Sequence, residues 1–249
     1  MMRTGTIDPT RKTATITGWL FIVTFVTAIA AQLVLYTDVL DAGYITGAGG
    51  DNAVFLGALL EMILIVANVG TAIALFSILR RQHEGLALGF VAARIVESVF
   101  IAIGLISLLA VVTLRQDLAG AGADAGALDA VGRSLVAIHD WSFLFGPGFI
   151  VGIGNGMILG YLMYRSGLVP RRLAMLGLIG GPILCVAAVA VLFGVFEAGS
   201  GWQALATAPE FVWELGLGIY LVVKGFRPSP IKAAADAEAV ARVRVPELV

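Results

Sequence analysis

Residues 86–114 read LALGFVAARIVESVFIAIGLISLLAVVTL. The stretch is long and mostly apolar, and its only charged residues are Arg94 and Glu97. A bilayer core about 30 Å thick takes about 20 apolar residues of helix. A membrane β-strand would be about 10 residues long and would alternate apolar with polar. The run does neither, so it reads as a transmembrane helix, and the chain on either side repeats the pattern.

Five more runs fit the same template: roughly Ala14–Tyr36, Ala53–Leu79, Ser142–Tyr164 (with room to begin earlier), Leu173–Phe196 and Ala208–Val223. The breaks between them carry Gly, Pro, Asp and Arg. The 249 residues are 59% hydrophobic and 13% charged, with a mean hydropathy of +0.96. Soluble domains carry roughly 25% charge. The expected fold is therefore all-α: a polytopic bundle of six transmembrane helices, with residues 14–225 as the membrane domain. A net charge of −1 gives no basic field for nucleic acid. The single cysteine, Cys185, excludes a disulfide framework.

Lys and Arg set the orientation. Arg3, Arg11, Lys12, Arg80, Arg81, Arg165, Arg171, Arg172, Lys224, Arg227, Lys232, Arg242 and Arg244 all fall on one side of a six-helix chain. Arg115 and Arg133 alone fall on the other, where Asp38, Asp41, Asp51, Asp117, Asp124, Asp129 and Glu197 also lie. Both termini are thus expected in the cytoplasm, as a segment 1–13 and a tail 226–249, with the protein in a bacterial cytoplasmic membrane. The first run has a basic start and an Ala28-Ile29-Ala30 step resembling a cleavage site, but it stays apolar through Leu33, Val34 and Leu35, so it is read as a retained helix. The Gly, Ala and Asp-rich stretch Gln116–Val131 reads as a flexible outer loop. Ala233–Val243 reads as a short surface helix or a frayed end.

In the fourth run, Gly148, Gly152, Gly156 and Gly160 recur every fourth residue. Such a ridge lets a neighbouring backbone approach closely, either within the chain or across a homodimer. Gly177 and Gly181 repeat the spacing in the fifth run.

Ionisable residues inside a membrane are costly and are functional candidates by default. Glu61 and Asn68 share a face of the second run, Arg94 and Glu97 are three apart on the third, and Glu210 and Glu214 four apart on the sixth. At about 1.5 Å of rise per residue, Glu97 and Glu214 lie near mid-membrane. His139 and Asp140 precede Trp141 at the outer start of the fourth run, where Gly146-Pro147-Gly148 can bend the chain and tip them inward. These positions imply a polar cavity open to the outer side, lined by the second, third, fourth and sixth helices. Four carboxyls would face one fixed cation, Arg94, so some are expected to be protonated or to hold a cation. The bland alternative is that Arg94 and Glu97 neutralise each other, with Glu61 capping the pair, and so fix helix register.

No HExxH, GxSxG or P-loop occurs. His139, Asp140 and Glu61 are the candidates for catalysis, and His139 with Asp140 for a metal. Only one histidine is available there, because His83 lies in a turn on the opposite side. The sequence specifies no cofactor. The four tryptophans and five tyrosines mostly mark run ends, as interfacial anchors do. Trp213, beside Glu214, is the exception and either lines the cavity or faces lipid.

Several segments resemble the domain-of-unknown-function family 4386. They are Leu56-Gly57-Ala58-Leu59-Leu60-Glu61; Ala87-Leu88-Gly89-Phe90 with Arg94 and Glu97; and His139-Asp140-Trp141 leading into Gly146-Pro147. Others are Leu159-Gly160-Tyr161-Leu162-Met163-Tyr164-Arg165-Ser166 with Val169-Pro170-Arg171, and Glu214 followed by Val223-Lys224-Gly225-Phe226. The ordered set spans roughly residues 10 to 227. The resemblance implies a multi-pass bacterial membrane protein and no particular activity, and its typical pattern includes the Glu61, Arg94/Glu97 and His139-Asp140 positions.

Three functions are compatible with these residues. The first is a carrier or sensor that binds a small molecule or lipid in an outward cavity with protonatable carboxylates. The second is an intramembrane metal-dependent enzyme acting on a lipid or prenyl substrate, and the third a structural membrane partner. The expected partners are the bilayer, the unidentified ligand and a second copy of the chain.

Overall fold

In hydrocarbon, backbone N–H and C=O groups must bond within the protein, and a helix does this within one segment. The computed structural model describes residues 9–41, 43–45, 47, 50–121, 125–234 and 236–237. Among these residues six helices are long and apolar enough to cross a membrane, and there is no strand. The protein is a multi-pass membrane protein. Helix α1 is Pro9–Ala30, extended by a wider π-wound turn, Ala31–Leu35. Helix α2 is Asp51–Leu79, and α3 is Glu84–Ala121. Helix α4 starts as Ala125–Phe143, passes through π-wound stretches Leu144–Ile150 and Gly152–Leu159, and ends as Gly160–Ser166. Helices α5 and α6 are Arg171–Leu192 and Gly201–Val223.

Local chemistry ends these helices. Gly167 takes φ 67°, closed to most side chains, and its N–H donates to the Met163 carbonyl to stop α4. The Ser200 side chain accepts from the Gln203 N–H at the start of α6.

Each helix packs on its neighbours in sequence, and α6 closes against α1, so the six form a ring. The closing contact is tight. A Cβ on Gly18 would lie 2.6 Å from the Gly218 carbonyl oxygen. Arg11 secures it by donating to the carbonyls of Val222 (2.8 Å) and Val223 (3.3 Å) at the end of α6. One apolar core fills the end of the ring near the termini, around Phe21, Leu75, Phe90, Leu162 and Leu217. A second, around Tyr36, Val54, Leu108 and Val112, seals α1, α2 and α3 at the other end. There Asp51 accepts from Arg115 (2.7 Å) and from the Tyr44 hydroxyl (2.8 Å). Burial first, then that hydrogen bond, pushes the Tyr44 phenol up to about 12.

The glycine ridge packs inside the chain. A Cβ on Gly152 would sit 2.6 Å from the Gly181 carbonyl oxygen, and one on Gly156 2.4 Å from the Gly181 Cα. Gly160 approaches Gly177 and Leu178 of α5. Gly148 is different: its nearest neighbours are 3.6 Å away, and it faces the interior space.

Two sequence expectations change, at the start of α4 with the stretch before it and at the start of α6. Helix α4 begins at Ala125 rather than near Ser142, and most of the expected loop Gln116–Val131 is helical, residues 122–124 being outside the described set. Alanine favours helix strongly, and Leu128, Leu135 and Val136 pack on the second core. Helix α6 begins at Gly201 instead of Ala208. In Ala233–Val243, read as a short helix or a frayed end, residues 233–234 and 236–237 are helical, and 235 and 238–243 lie outside the described residues.

Replacing Gly156 or Gly181 with alanine should cost about 1–3 kcal/mol through overpacking, while Gly148→Ala is tolerated. Thermal unfolding of detergent-solubilised variants measures the contrast.

Candidate functional site

Between the two cores the ring is not filled, and a cavity of about 220 Å³ remains. All six helices line it. Each contributes residues on one face by helical spacing: Glu61, Leu64 and Asn68 from α2; Arg94, Glu97 and Ile101 from α3; Gln203, Thr207, Glu210 and Glu214 from α6. Helix α1 adds Thr24, Phe25, Ala28, Ile29 and Gln32, α4 adds Phe143, Pro147, Gly148 and Val151, and α5 adds Leu184. Helices α1 and α5 were not expected to contribute.

At one end lies a closed polar cluster. Arg94 is 2% exposed. Its Nη1 donates to Glu97 Oε2 (2.8 Å), its Nη2 to Asn68 Oδ1 (2.7 Å) and its Nε to Thr71 Oγ1 (3.3 Å). Asn68 Nδ2 donates in turn to Glu97 Oε1 (2.9 Å). The guanidinium also lies over the Phe21 ring of α1, 5.6 Å from its centroid, within cation–π range. Both oxygens of Glu97 and all three nitrogens of Arg94 therefore have partners, which is the condition for holding a charge pair out of water.

A second cluster lies toward the opposite end. Glu61 accepts from Gln32 Nε2 (2.9 Å) and from the Tyr36 hydroxyl (3.0 Å). Gly57 makes room for that phenol, since a Cβ there would lie 2.3 Å from the Tyr36 ring. This gives the Gly57-to-Glu61 spacing a physical reason: one turn apart, one residue seats the ring and the other takes its hydroxyl. Gln32 Nε2 also lies 3.3 Å from His139 Nε2, and His139 Nδ1 lies 3.2 Å from Asp140 Oδ1. With Gln32 donating, His139 Nε2 is the acceptor and Nδ1–H points to Asp140.

Helix α4 runs through Pro147 as a widened helix, and the two outer residues are not both turned inward. His139 is buried, but the Asp140 side chain is 60% exposed. Neighbours on a helix point about 100° apart, so one turns in and the other out. His139 reaches Glu61 through Gln32 and through Tyr36, whose ring stands edge-on to the imidazole, and makes no direct hydrogen bond to it among the described contacts. These three residues do not converge on a point as metal ligands would, and among the described residues no group of three such ligands does.

The third cluster joins α6 to α4 and α5. Asn155 Nδ2 donates to Glu214 Oε1, and the Asn155 carbonyl accepts from Trp213 Nε1 (2.9 Å). Trp213 is fully buried against Gly177 and lies outside the cavity lining, so it faces neither the cavity nor lipid. Glu210 is 2% exposed and presses on Gly156 and Gly180.

The structure thus gathers Asn68, Arg94 and Glu97 into one cluster and Glu61 with His139 into another, and it places Glu210 and Glu214 at a third. Sequence reasoning missed Gln32, Tyr36, Thr71 and Asn155. Gln32 and Asn155 carried a usable signal, an amide inside an apolar run. Tyr36 was read as an interfacial anchor and is instead a fully buried donor.

Breaking a buried ion pair from one side costs about 3–5 kcal/mol, because the other charge stays buried. Arg94→Leu should therefore lower yield and thermal stability strongly, and adding Glu97→Leu should recover most of the loss. Unfolding of the two single variants and the double variant reads this directly.

No functionally curated protein and no solved structure matches the chain. The profile of a family described as "Domain of unknown function (DUF4386)" matches residues 16–225. That span runs from the second turn of α1 to just past the end of α6 and includes all three polar clusters. The chain belongs to the DUF4386 family.

Proposed function

We propose that the protein is a carrier or sensor in the cytoplasmic membrane of a bacterium. It binds a small amphipathic molecule, or one end of a lipid, inside its ring of helices. The cavity itself carries this reading: apolar walls from Phe25, Leu64, Ile101, Val151 and Leu184 end on hydrogen-bonding groups of Asn68, Arg94, Glu97 and Glu214. Ligand sites commonly combine apolar walls with a few placed polar groups, at volumes of roughly 300–1,000 Å³ for drug-sized ligands. A space of about 220 Å³ suits a metabolite-sized molecule or a single head group.

The positive-inside asymmetry supports placing both termini in the cytoplasm. Gln32, His139 and Gln203 then lie toward the outer side, and the cavity serves that side of the membrane. A metal-dependent hydrolase receives less support, because His139, Asp140 and Glu61 do not converge.

Two measurements test the reading. Protein released gently from its own membrane should carry a small molecule detectable by native mass spectrometry, and Val151→Trp, which fills the cavity, should remove it. A stoichiometric metal lost on His139→Ala would instead favour the enzyme. For topology, a fluorescent protein fused after Val249 should fluoresce, while alkaline phosphatase placed near Glu197 should be active.

A further inference from the structure

Where α4, α5 and α6 meet, two buried polar groups lack partners. Both carboxyl oxygens of Glu210 are buried without a hydrogen bond among the described residues, and so is Asn155 Oδ1. The latter is notable because the other polar atoms of Asn155 are engaged: its Nδ2 by Glu214 and its carbonyl by Trp213. Buried polar groups left unmade are costly and uncommon. Glu214 lies one turn along the same helix from Glu210, a spacing that puts Cβ atoms roughly 5–6 Å apart. Glycine at 156 and 180 lets the backbone of α4 and α5 close on one side of Glu210, whose other side lines the cavity.

Among the described residues no charged group is bonded to this pair. From α3, Arg94 hydrogen-bonds Glu97, Asn68 and Thr71, and Glu97 adds a further carboxyl. From α5 comes only Cys185, whose thiol donates to the Phe149 carbonyl (3.4 Å). From α2, Glu61 lies in the cavity lining, and α1 brings Thr24 and Gln32 there, neither of which titrates. Glu210 and Glu214 therefore have acceptors in surplus and no cation directly bonded to them.

We propose that Glu210, Glu214 and Asn155 form a site for one small cation, either a proton or an alkali-metal ion, at the junction of α4, α5 and α6. Every available donor atom is an oxygen, which selects hard cations over soft metals. A proton on one Glu210 oxygen gives that carboxyl a single O–H donor for Asn155 Oδ1 or Glu214 and removes one of the surplus acceptors. Because the site lies where three helices are in close contact, its occupancy stabilises their junction. Glu210 and Glu214 also line the cavity, so the cation site adjoins the proposed ligand space, but its occupancy needs no organic ligand.

The test is thermal unfolding of the full-length protein in detergent, with wild type beside Glu210→Gln and Glu214→Gln. Lithium, sodium and potassium chloride are compared at equal ionic strength with choline chloride at alkaline pH, and a pH series is run in choline chloride. If the site takes an alkali ion, one of these salts stabilises wild type in a saturable way. Glu210→Gln then abolishes the effect, and Glu214→Gln weakens the half-saturating concentration by about tenfold or more. If it takes a proton alone, the alkali salts do not differ, wild-type stability falls as pH rises, and Glu210→Gln flattens that dependence. The proposal is overturned if wild type and Glu210→Gln respond alike to both cation and pH. Should Glu210→Gln fail to fold, Glu214→Gln is judged by the same criterion.

Discussion

Arg94 is a permanent charge placed about three turns into a helix that crosses a bilayer, and the surrounding structure is organised to keep it solvated by protein. Glu97 supplies the opposite charge from one turn away, Asn68 and Thr71 reach across from α2, and Phe21 offers its ring from α1. Three helices are therefore held in one register by a single guanidinium. Sliding α2 by one residue would turn Asn68 about 100° away and strip Arg94 of a donor's partner where no water replaces it. The same requirement keeps the interior polar at that level, which is why apolar packing stops there and resumes above and below.

The two halves of the ring are joined by different physics. Between α1, α2 and α3 the contacts are hydrogen bonds from long side chains: Gln32 and Tyr36 to Glu61, Asn68 to Glu97. Between α4, α5 and α6 they are close backbone approaches made possible by Gly152, Gly156, Gly177, Gly180 and Gly181. Hydrocarbon gives helices no hydrophobic reason to associate, so small-residue packing and interhelical hydrogen bonds take over that role. The cavity lies at the boundary between the two kinds of contact. The wide winding of α4 after Phe143 belongs to the glycine half: Pro147 offers no N–H to its helix, and the backbone relaxes around it without breaking.

The carboxyl surplus separates the clusters in chemical character. Glu97 and Glu61 are each fully hydrogen-bonded, so they act as fixed parts of the frame. Glu214 has one partner in Asn155, and Glu210 has none among the described residues. A group whose bonding is incomplete is the one able to respond to something that arrives. On this reading the functional freedom of the protein lies along α6, while the Arg94 cluster supplies rigidity.

Much of this was legible in the residues themselves. Six long apolar runs dictate six helices because hydrocarbon leaves the backbone no other local solution, and the charges inside those runs marked Glu61, Arg94, Glu97, Glu210 and Glu214. The pairing of Arg94 with Glu97 followed from a spacing of three on one helix. The start of α4 was obscured because alanine, glycine and aspartate in residues 116–131 look like a loop until Leu128, Leu135 and Val136 find a core to pack on. Whether the glycine ridge served this chain or a second copy of it was also open, since spacing shows that a backbone approaches but not whose. What only the tertiary structure decided are the contacts between helices: Gln32 joining Glu61 to His139, Asn155 engaging Glu214, and α1 closing the ring against α6. Helical periodicity determines which face a residue occupies. Which other face it meets depends on how six helices share one interior, and that is a property of the assembled bundle.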